Sequence, residues 1–263
     1  MTPVSVTVIT RDEAAHIEAC LASVAWAADV LVVDSGSRDD TVARARAAGA
    51  RVIVRDWPGY AEQKNFAAAE AAHDWILSVD ADERVTPTLA AEIQAALAEP
   101  AAQEVCGFRV PRVTWHLGRW IRTTDWYPDH QLRVYDRRHA HWVPRHVHES
   151  VQVDGRVARL TQDLQHFAYR DLAHHHQTMD RYTTLAATEM FERGRRAGLA
   201  HLTLHPCAAF VRNYLLRRGL LDGVPGFIIS CMNAYYVFLK FAKLWARQRT
   251  PSPGARPGAD VPR

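Results

Sequence analysis

Asp80 and Asp82 stand two residues apart at the end of the apolar run 75–79, Trp-Ile-Leu-Ser-Val. A strand has a period of two, so both side chains point to the same side and can converge on one divalent cation. A hard cation held by few carboxylates, with coordination positions left open, is how Mg2+ or Mn2+ is kept against a diphosphate. Such a pair alone is often a solvated turn; its weight comes from its place after the fourth strand of a βαβ series. A third acid, Asp34, closes the apolar run 30–33 and precedes Ser-Gly-Ser-Arg-Asp-Asp-Thr, a tight turn and a helix start. Ser37 or Asp39 can cap that helix, which leaves the acid on the last strand residue unexplained. Neither G-x-G-x-x-G nor G-x-x-x-x-G-K-[ST] occurs, so dinucleotide and P-loop readings lack their glycines.

The elements that must carry these acids alternate. Strand-like runs at 4–10, 30–33, 51–54 and 75–79 are separated by helical stretches at about 12–24, 39–48 and 60–72, and a further helix opens at Thr86-Pro87. Short apolar strands between helices predict an α/β fold with a buried parallel sheet. Ligands of such sheets sit beyond the carboxyl ends of the strands, where this chain places Thr10, Asp34 and the Asp80–Glu83 stretch. From Cys106 the texture changes to strand-like pieces at 108–113, 131–135 and 160–167, followed by a helical region at about 171–196.

Several linked stretches resemble inverting glycosyltransferases of family 2, which have the GT-A fold. These are Val-Thr-Val-Ile-Thr-Arg-Asp-Glu (6–13), Val-Val-Asp-Ser-Gly-Ser-Arg-Asp-Asp-Thr (32–41) and Val-Asp-Ala-Asp-Glu (79–83). Gly-Tyr-Ala-Glu-Gln-Lys-Asn (59–65), Tyr-Pro-Asp-His-Gln-Leu-Arg (127–133), Val-His-Glu (147–149), His-Phe-Ala-Tyr-Arg-Asp (166–171) and Gly-Leu-Leu-Asp-Gly (219–223) are similar to a subgroup acting on the lipopolysaccharide inner core. The resemblance implies that Thr10, Asp12 and Glu13 edge the nucleotide pocket and that Asp34 accepts a hydrogen bond from the base, expected to be uracil. It places Lys64 near the diphosphate or base, Asp80 and Asp82 around the metal and the donor ribose–diphosphate, and Asp129 at the general base. Many members carry Glu-Asp where this chain has Pro128-Asp129, and Asn where it has Asp12.

The implied reaction is a metal-dependent transfer of a sugar, expected to be glucose, from a UDP-sugar to the lipopolysaccharide core or another lipid-linked acceptor. A cation, Mg2+ or Mn2+, offsets the charge left on the diphosphate, and a carboxylate takes the proton of the attacking hydroxyl. A polyprenyl-phosphate sugar synthase shares the donor half, and a non-catalytic carbohydrate- or membrane-binding scaffold is the alternative from another class. His148, in His-Val-His-Glu (146–149), stands open between metal ligand, pocket lining and structural residue, and Glu149 is the second candidate base. Trp115, Trp120, Trp126 and Trp142, with Arg109, Arg119, Arg122 and Arg133, form either an acceptor surface for sugars and phosphates or a second core. His174, His175 and His176 are expected on an exposed helix face.

The formal net charge is +3 (32 basic, 29 acidic), too small to mark a nucleic-acid partner, and 48% hydrophobic against 23% charged residues excludes a disordered chain, a collagen and a coiled coil. The charge is unevenly spread. Residues 206–249 hold seven basic residues and one acid, +6, so the remainder is −3. A helix over 227–247 gathers Ser230, Asn233, Lys240, Lys243 and Arg247 on one side and aromatic residues on the rest. An amphipathic cationic helix of this kind lies in an anionic membrane surface; docking on the catalytic domain is the alternative, and the 17-residue uncharged stretch 223–239 is short for a span. The expected division is a GT-A domain over 1–200, a membrane-facing helical extension over 201–249 and a disordered tail over 250–263. Four separated cysteines read as reduced core thiols, the N-terminus enters a strand without a secretory leader, and the expected location is the inner face of the cytoplasmic membrane, peripherally bound.

Overall fold

The computed structural model describes residues 2–99, 104–144 and 150–249. The expectations for His148, Glu149 and the tail fall outside these residues. The chain forms two compact units, a sheet unit up to Arg122 and over 126–168, and a helical unit made of 123–125 and the chain from Tyr169 on.

The sheet unit begins as the alternation predicts: β1 (Val4–Thr10), α1 (Ile17–Ser23), β2 (Asp29–Asp34), α2 (Thr41–Ala47), β3 (Arg51–Val54), α3 (Tyr60–Glu70) and β4 (Trp75–Asp80). These four strands are parallel in the order β3-β2-β1-β4. Val4, Val6, Val8 and Val32 pack with Ile17, Cys20 and Leu21 of α1, while Leu31 and Val33 meet Ala67 of α3 on the other face. Both faces are therefore covered, which explains the unbroken apolar runs. The second half is antiparallel or mixed. It comprises β5 (Glu83–Val85), α4 (Pro87–Ala98), β6 (Val105–His116), β7 (Arg119–Ile121), β8 (Asp129–Asp136), β11 (Arg156–Arg159) and β12 (Leu164–His166), with β9 (Ala140–Val143) and β10 (Ser150–Val153) as a separate hairpin. The sheet continues β4-β8-β6-β12-β5, so it is mixed rather than wholly parallel. α1 starts at Ile17 instead of near Asp12 because residues 11–14 are used to staple a loop, described below.

The helical unit contains α5 (Leu172–Glu192), α6 (Leu199–Val211), a π-helical turn at Arg212–Leu216, a 3-10 turn at Gly219–Asp222 and α7 (Gly223–Arg249). α5, grouped in the sequence with the catalytic body, belongs here: Lys243 of α7 donates to the Asp180 carboxylate (2.7 Å) and to the hydroxyls of Thr183 (2.9 Å) and Thr184 (2.7 Å). Residues 123–125 are bound into the same unit, with the Asp125 N–H on Asn213 Oδ1 (2.9 Å) and the Thr123 hydroxyl on Asp222 (2.6 Å). The polar stripe of α7 thus faces inward, since Ser230 is buried and Asn233 donates to Asn213 Oδ1 (2.9 Å). The outward stripe is apolar: Val224 (71% exposed), Phe227, Tyr235, Phe238 and Trp245 fall within about 80° at 100° per residue. By length and composition, Gly219–Arg249 is also long and apolar enough to cross a membrane.

Two smaller expectations change. Cys207 and Cys231 are exposed on this unit, so only Cys20 and the half-buried Cys106 resemble core thiols; all four are free. His175 is buried and stacked on Tyr169 (centroids 4.4 Å), because one of three consecutive helical positions must turn inward.

Asp29 anchors the start of β2. Burial pushes its carboxyl up, but the Arg51 hydrogen bonds, the Ala72 N–H and the Ser5 hydroxyl outweigh it and bring the pKa down to about 2. A lowered folded-state pKa contributes stability above the unfolded value near 3.9 and loses it as pH falls towards 2. Asp29→Asn is expected to cost about 1 kcal/mol near neutral pH, after allowance for screening at the exposed Arg51, with the difference from wild type vanishing in urea titrations near pH 2.

Candidate active site

The carboxyl ends of β1, β2 and β4 lie side by side, with Thr10 opposite Asp34 and Ile9 opposite Asp80. Asp34 is fully buried. Its Oδ1 accepts the N–H groups of Gly36 (2.9 Å) and Ser37 (2.8 Å), and its Oδ2 accepts the Ser37 hydroxyl. Gly36 takes φ +76 to close this turn, a conformation glycine adopts without strain. A second loop is stapled to it. The Asp12 N–H donates to Ser37 Oγ (2.8 Å), Asp12 Oδ1 accepts the Arg38 N–H (2.7 Å), and the Glu13 N–H reaches Thr41 Oγ1 (2.8 Å). Asp12 sits at φ +55, where Asp and Asn are the tolerated non-glycine residues. Beside Asp34, the buried Thr10 Oγ1 has no hydrogen-bond partner among the described residues.

At the end of β4 a charge cluster is locked on one sheet face by strand pairing. Glu83 of β5 is 0% exposed. Its Oε1 accepts Arg112 Nη1 (3.0 Å) and Arg133 Nη2 (2.5 Å), and its Oε2 accepts the Asp80 N–H (3.0 Å). Asp80 lies between Arg133 Nη2 (2.6 Å) and Lys64 Nζ (3.1 Å). Burial opposes its ionisation, but Arg133 and Lys64 hold the carboxyl far below the usual range. Lys64, 3% exposed, also lies over the Trp142 ring (4.3 Å). Burial would lower Arg133, yet Asp80 and Glu83 raise it. Asp129, directly across from Arg112 in the β6–β8 ladder, takes Arg112 Nη2 (2.7 Å) and Nε (3.0 Å) on Oδ2 and Gln131 Nε2 (2.6 Å) on Oδ1.

Residues 5–153 match the Glycosyl transferase family 2 profile. The chain belongs to that family. It is 33% identical, over 98% of its own length and 96% of the relative's, to the lipopolysaccharide core biosynthesis glycosyltransferase LpsC of Rhizobium meliloti. It is 31% identical to an uncharacterized glycosyltransferase of Rickettsia felis, over 93% and 90% of the two chains. Its fold is shared with glucosyl-3-phosphoglycerate synthase of Mycobacterium tuberculosis, solved with phosphoglyceric acid (TM-score 0.51, 18% identity, 75% of this chain and 82% of that one) and with Mn2+, UDP and glucosyl-3-phosphoglycerate (TM-score 0.50, 18% identity, 75% and 82%).

In this family 2 glycosyltransferase the two aspartates of the 80–82 pair have different partners. Asp80 ends the strand among cations, while Asp82 lies in the turn after it, with His166 Nε2 3.4 Å from its Oδ2. Burial raises the Asp82 carboxyl, but the His166 hydrogen bond and charge bring it below its ordinary value. A carboxylate facing an imidazole suits Mn2+ and, less well, the all-oxygen preference of Mg2+. Among the described residues no three His, Cys, Asp or Glu side chains gather around one ion position. A cation held by Asp82 and His166 would need its remaining ligands from a diphosphate, water or residues outside the described ones.

Glu83, Arg112 and His166 carry much of this site without having been singled out for it in the sequence. Glu83 closes the Asp80–Glu83 stretch at the strand end and His166 opens the 166–171 stretch, whereas Arg112 has no such local signal. Arg133 is buried against Asp80 and Glu83 rather than free for acceptor phosphates. The tryptophans divide: Trp142 is core, its Nε1 donating to Tyr135 Oη (2.9 Å), Trp126 lies against His116, and Trp115 and Trp120 meet edge to face (5.1 Å). Glu83→Ala removes the carboxylate shared by Arg112 and Arg133, leaves each with one remaining acid, Asp129 and Asp80, and is expected to cost about 3–5 kcal/mol in urea unfolding.

Proposed function

We propose that the chain is a metal-dependent inverting glycosyltransferase that moves glucose from UDP-glucose to the lipopolysaccharide inner core. The observation that carries this reading is the charge cluster, in which Glu83 and Arg112 join the donor-side strand end at Asp80 to Asp129. Inversion needs one carboxylate near the acceptor and positive charge near the leaving diphosphate, and the cluster supplies both from one sheet face. The kinship with LpsC supports the acceptor class.

In this reading Thr10 Oγ1 and the buried Asp34 turn receive the uridine, and Lys64 lies by the diphosphate. Asp82 and His166 would hold Mn2+ or Mg2+. When bound there, the cation supplies Lewis-acid charge to the departing diphosphate. Asp129 takes the proton of the acceptor hydroxyl as that oxygen attacks the anomeric carbon. The helical unit presents its apolar α7 stripe, with Leu204, Leu216 and Leu221 also exposed, to the cytoplasmic face of the membrane, while Arg212, Arg217 and Arg218 meet anionic headgroups. An enzyme seated there meets a lipid-linked acceptor in two dimensions.

Asp82→Ala is expected to abolish UDP-glucose turnover with Mn2+, and turnover that persists with the metal chelated away would contradict the metal assignment. Asp129→Asn should bind UDP with wild-type affinity in calorimetry yet transfer sugar about 100- to 10,000-fold more slowly; undiminished transfer would remove Asp129 from the base role. Flotation with phosphatidylglycerol vesicles at physiological salt should carry the wild type upward. Phe227→Asp with Trp245→Asp should leave the protein at the bottom of the gradient with UDP binding intact. A wild type that ignores the vesicles contradicts the membrane reading.

A further inference from the structure

We propose that Arg112 is the positioning residue of the transfer step, and that it leaves Oδ1 of Asp129 as the atom that takes the acceptor proton. The inference rests on the reading of Asp129 as base. Asp129 is the first residue of β8 and its side chain is 35% exposed, so without restraint it would sample several rotamers. Arg112 removes that freedom. Its Nε and Nη2 both donate to the single oxygen Oδ2 (3.0 and 2.7 Å), which anchors that atom, and the Gln131 contact on Oδ1 sets the plane of the carboxylate. Among the described residues Oδ1 receives a single hydrogen bond, from Gln131 Nε2 (2.6 Å), and keeps a lone pair for an incoming hydroxyl.

The other end of the guanidinium is fixed as well. Nη1 donates to Oε1 of the fully buried Glu83 (3.0 Å), whose Oε2 accepts the backbone N–H of Asp80 (3.0 Å). Asp80 and Asp129 are thereby referred to one rigid bracket in three protein–protein contacts, with no water between. A substrate-binding role for Arg112 fits poorly. Its side chain is 20% exposed and three of its five N–H groups are committed to the two carboxylates. The balanced step is as follows: the acceptor O–H proton passes to Oδ1, the acceptor oxygen forms the new bond to the anomeric carbon, and the electron pair of the broken sugar–oxygen bond leaves on the diphosphate.

The test compares Arg112→Ala, Arg112→Lys, Asp129→Asn and the Arg112→Ala/Asp129→Asn double variant of the full chain. The assay uses UDP-glucose, Mn2+ and truncated lipopolysaccharide, with UDP affinity measured by calorimetry. Arg112→Ala should lower kcat about 100-fold, the scale of an ångström's misplacement, with KM for both substrates and UDP affinity unchanged. Arg112→Lys keeps the charge, and hence the fold, but loses the fork, so its kcat should recover only in part. Ethylguanidinium added to Arg112→Ala should raise its rate, and the double variant should be no slower than Asp129→Asn alone. A wild-type kcat in Arg112→Lys and Arg112→Ala, a loss confined to UDP affinity or acceptor KM, or multiplying losses in the double variant would overturn the inference. Failure of the base reading is distinguishable, because then Asp129→Asn itself stays active.

Discussion

The burial of Glu83 is the constraint on which the site depends. A carboxylate with no exposure must be neutralised, since removing an unpaired charge from water costs several kcal/mol. Arg112 and Arg133 come from two other strands to meet it, and each brings a further acid, Asp129 and Asp80, with Lys64 closing the far side. Three acids and three bases within a single patch leave no net charge to expel. Replacing them with apolar side chains would also satisfy burial, so the arrangement is better understood as fixing direction than as a source of stability. Because β4, β5, β6 and β8 are all tied to it, Asp80 and Asp129 cannot drift apart without breaking these ion pairs.

The two ends of the site are built on different physics. At the carboxyl ends of β1 and β2, backbone N–H groups and hydroxyls of two stapled loops surround the Asp34 carboxylate, and Thr10 Oγ1 has no hydrogen-bond partner among the described residues. At the reacting end, full charges face each other in a low-dielectric setting, where each is worth more than in water. The helical unit adds a third kind of surface, apolar side chains turned outward from a polar interior.

The first half of the fold was legible because parallel strands covered on both faces must be continuously apolar, and the acids at their ends stand out against that background. Asp34 and Asp80 could be found by that contrast alone. The pairing of Glu83, Arg112 and His166 with Arg133, Asp129 and Asp82 could not, because those partners lie 17 to 84 residues away and meet only once β5, β12, β6 and β8 are assembled in one sheet. The three-residue strands β5 and β7 carry too little pattern to be seen, whereas β12 lies inside the strand-like run 160–167. In α7 the polar stripe was visible, but its direction was not. Ser230, Asn233 and Lys243 look like a solvated face until Asn213, Asp180, Thr183 and Thr184 are found waiting for two of them, which a single helix cannot reveal.

The central claim is that one rigid face presents Asp129 to the acceptor opposite a held diphosphate, so that transfer is a single in-line displacement. The anomeric configuration of the new linkage tests it most directly. Purified enzyme, given UDP-glucose, Mn2+ and truncated lipopolysaccharide, should yield a β-linked glucose by proton NMR of the isolated core oligosaccharide. An α-linked product, with the donor configuration retained, would contradict the account.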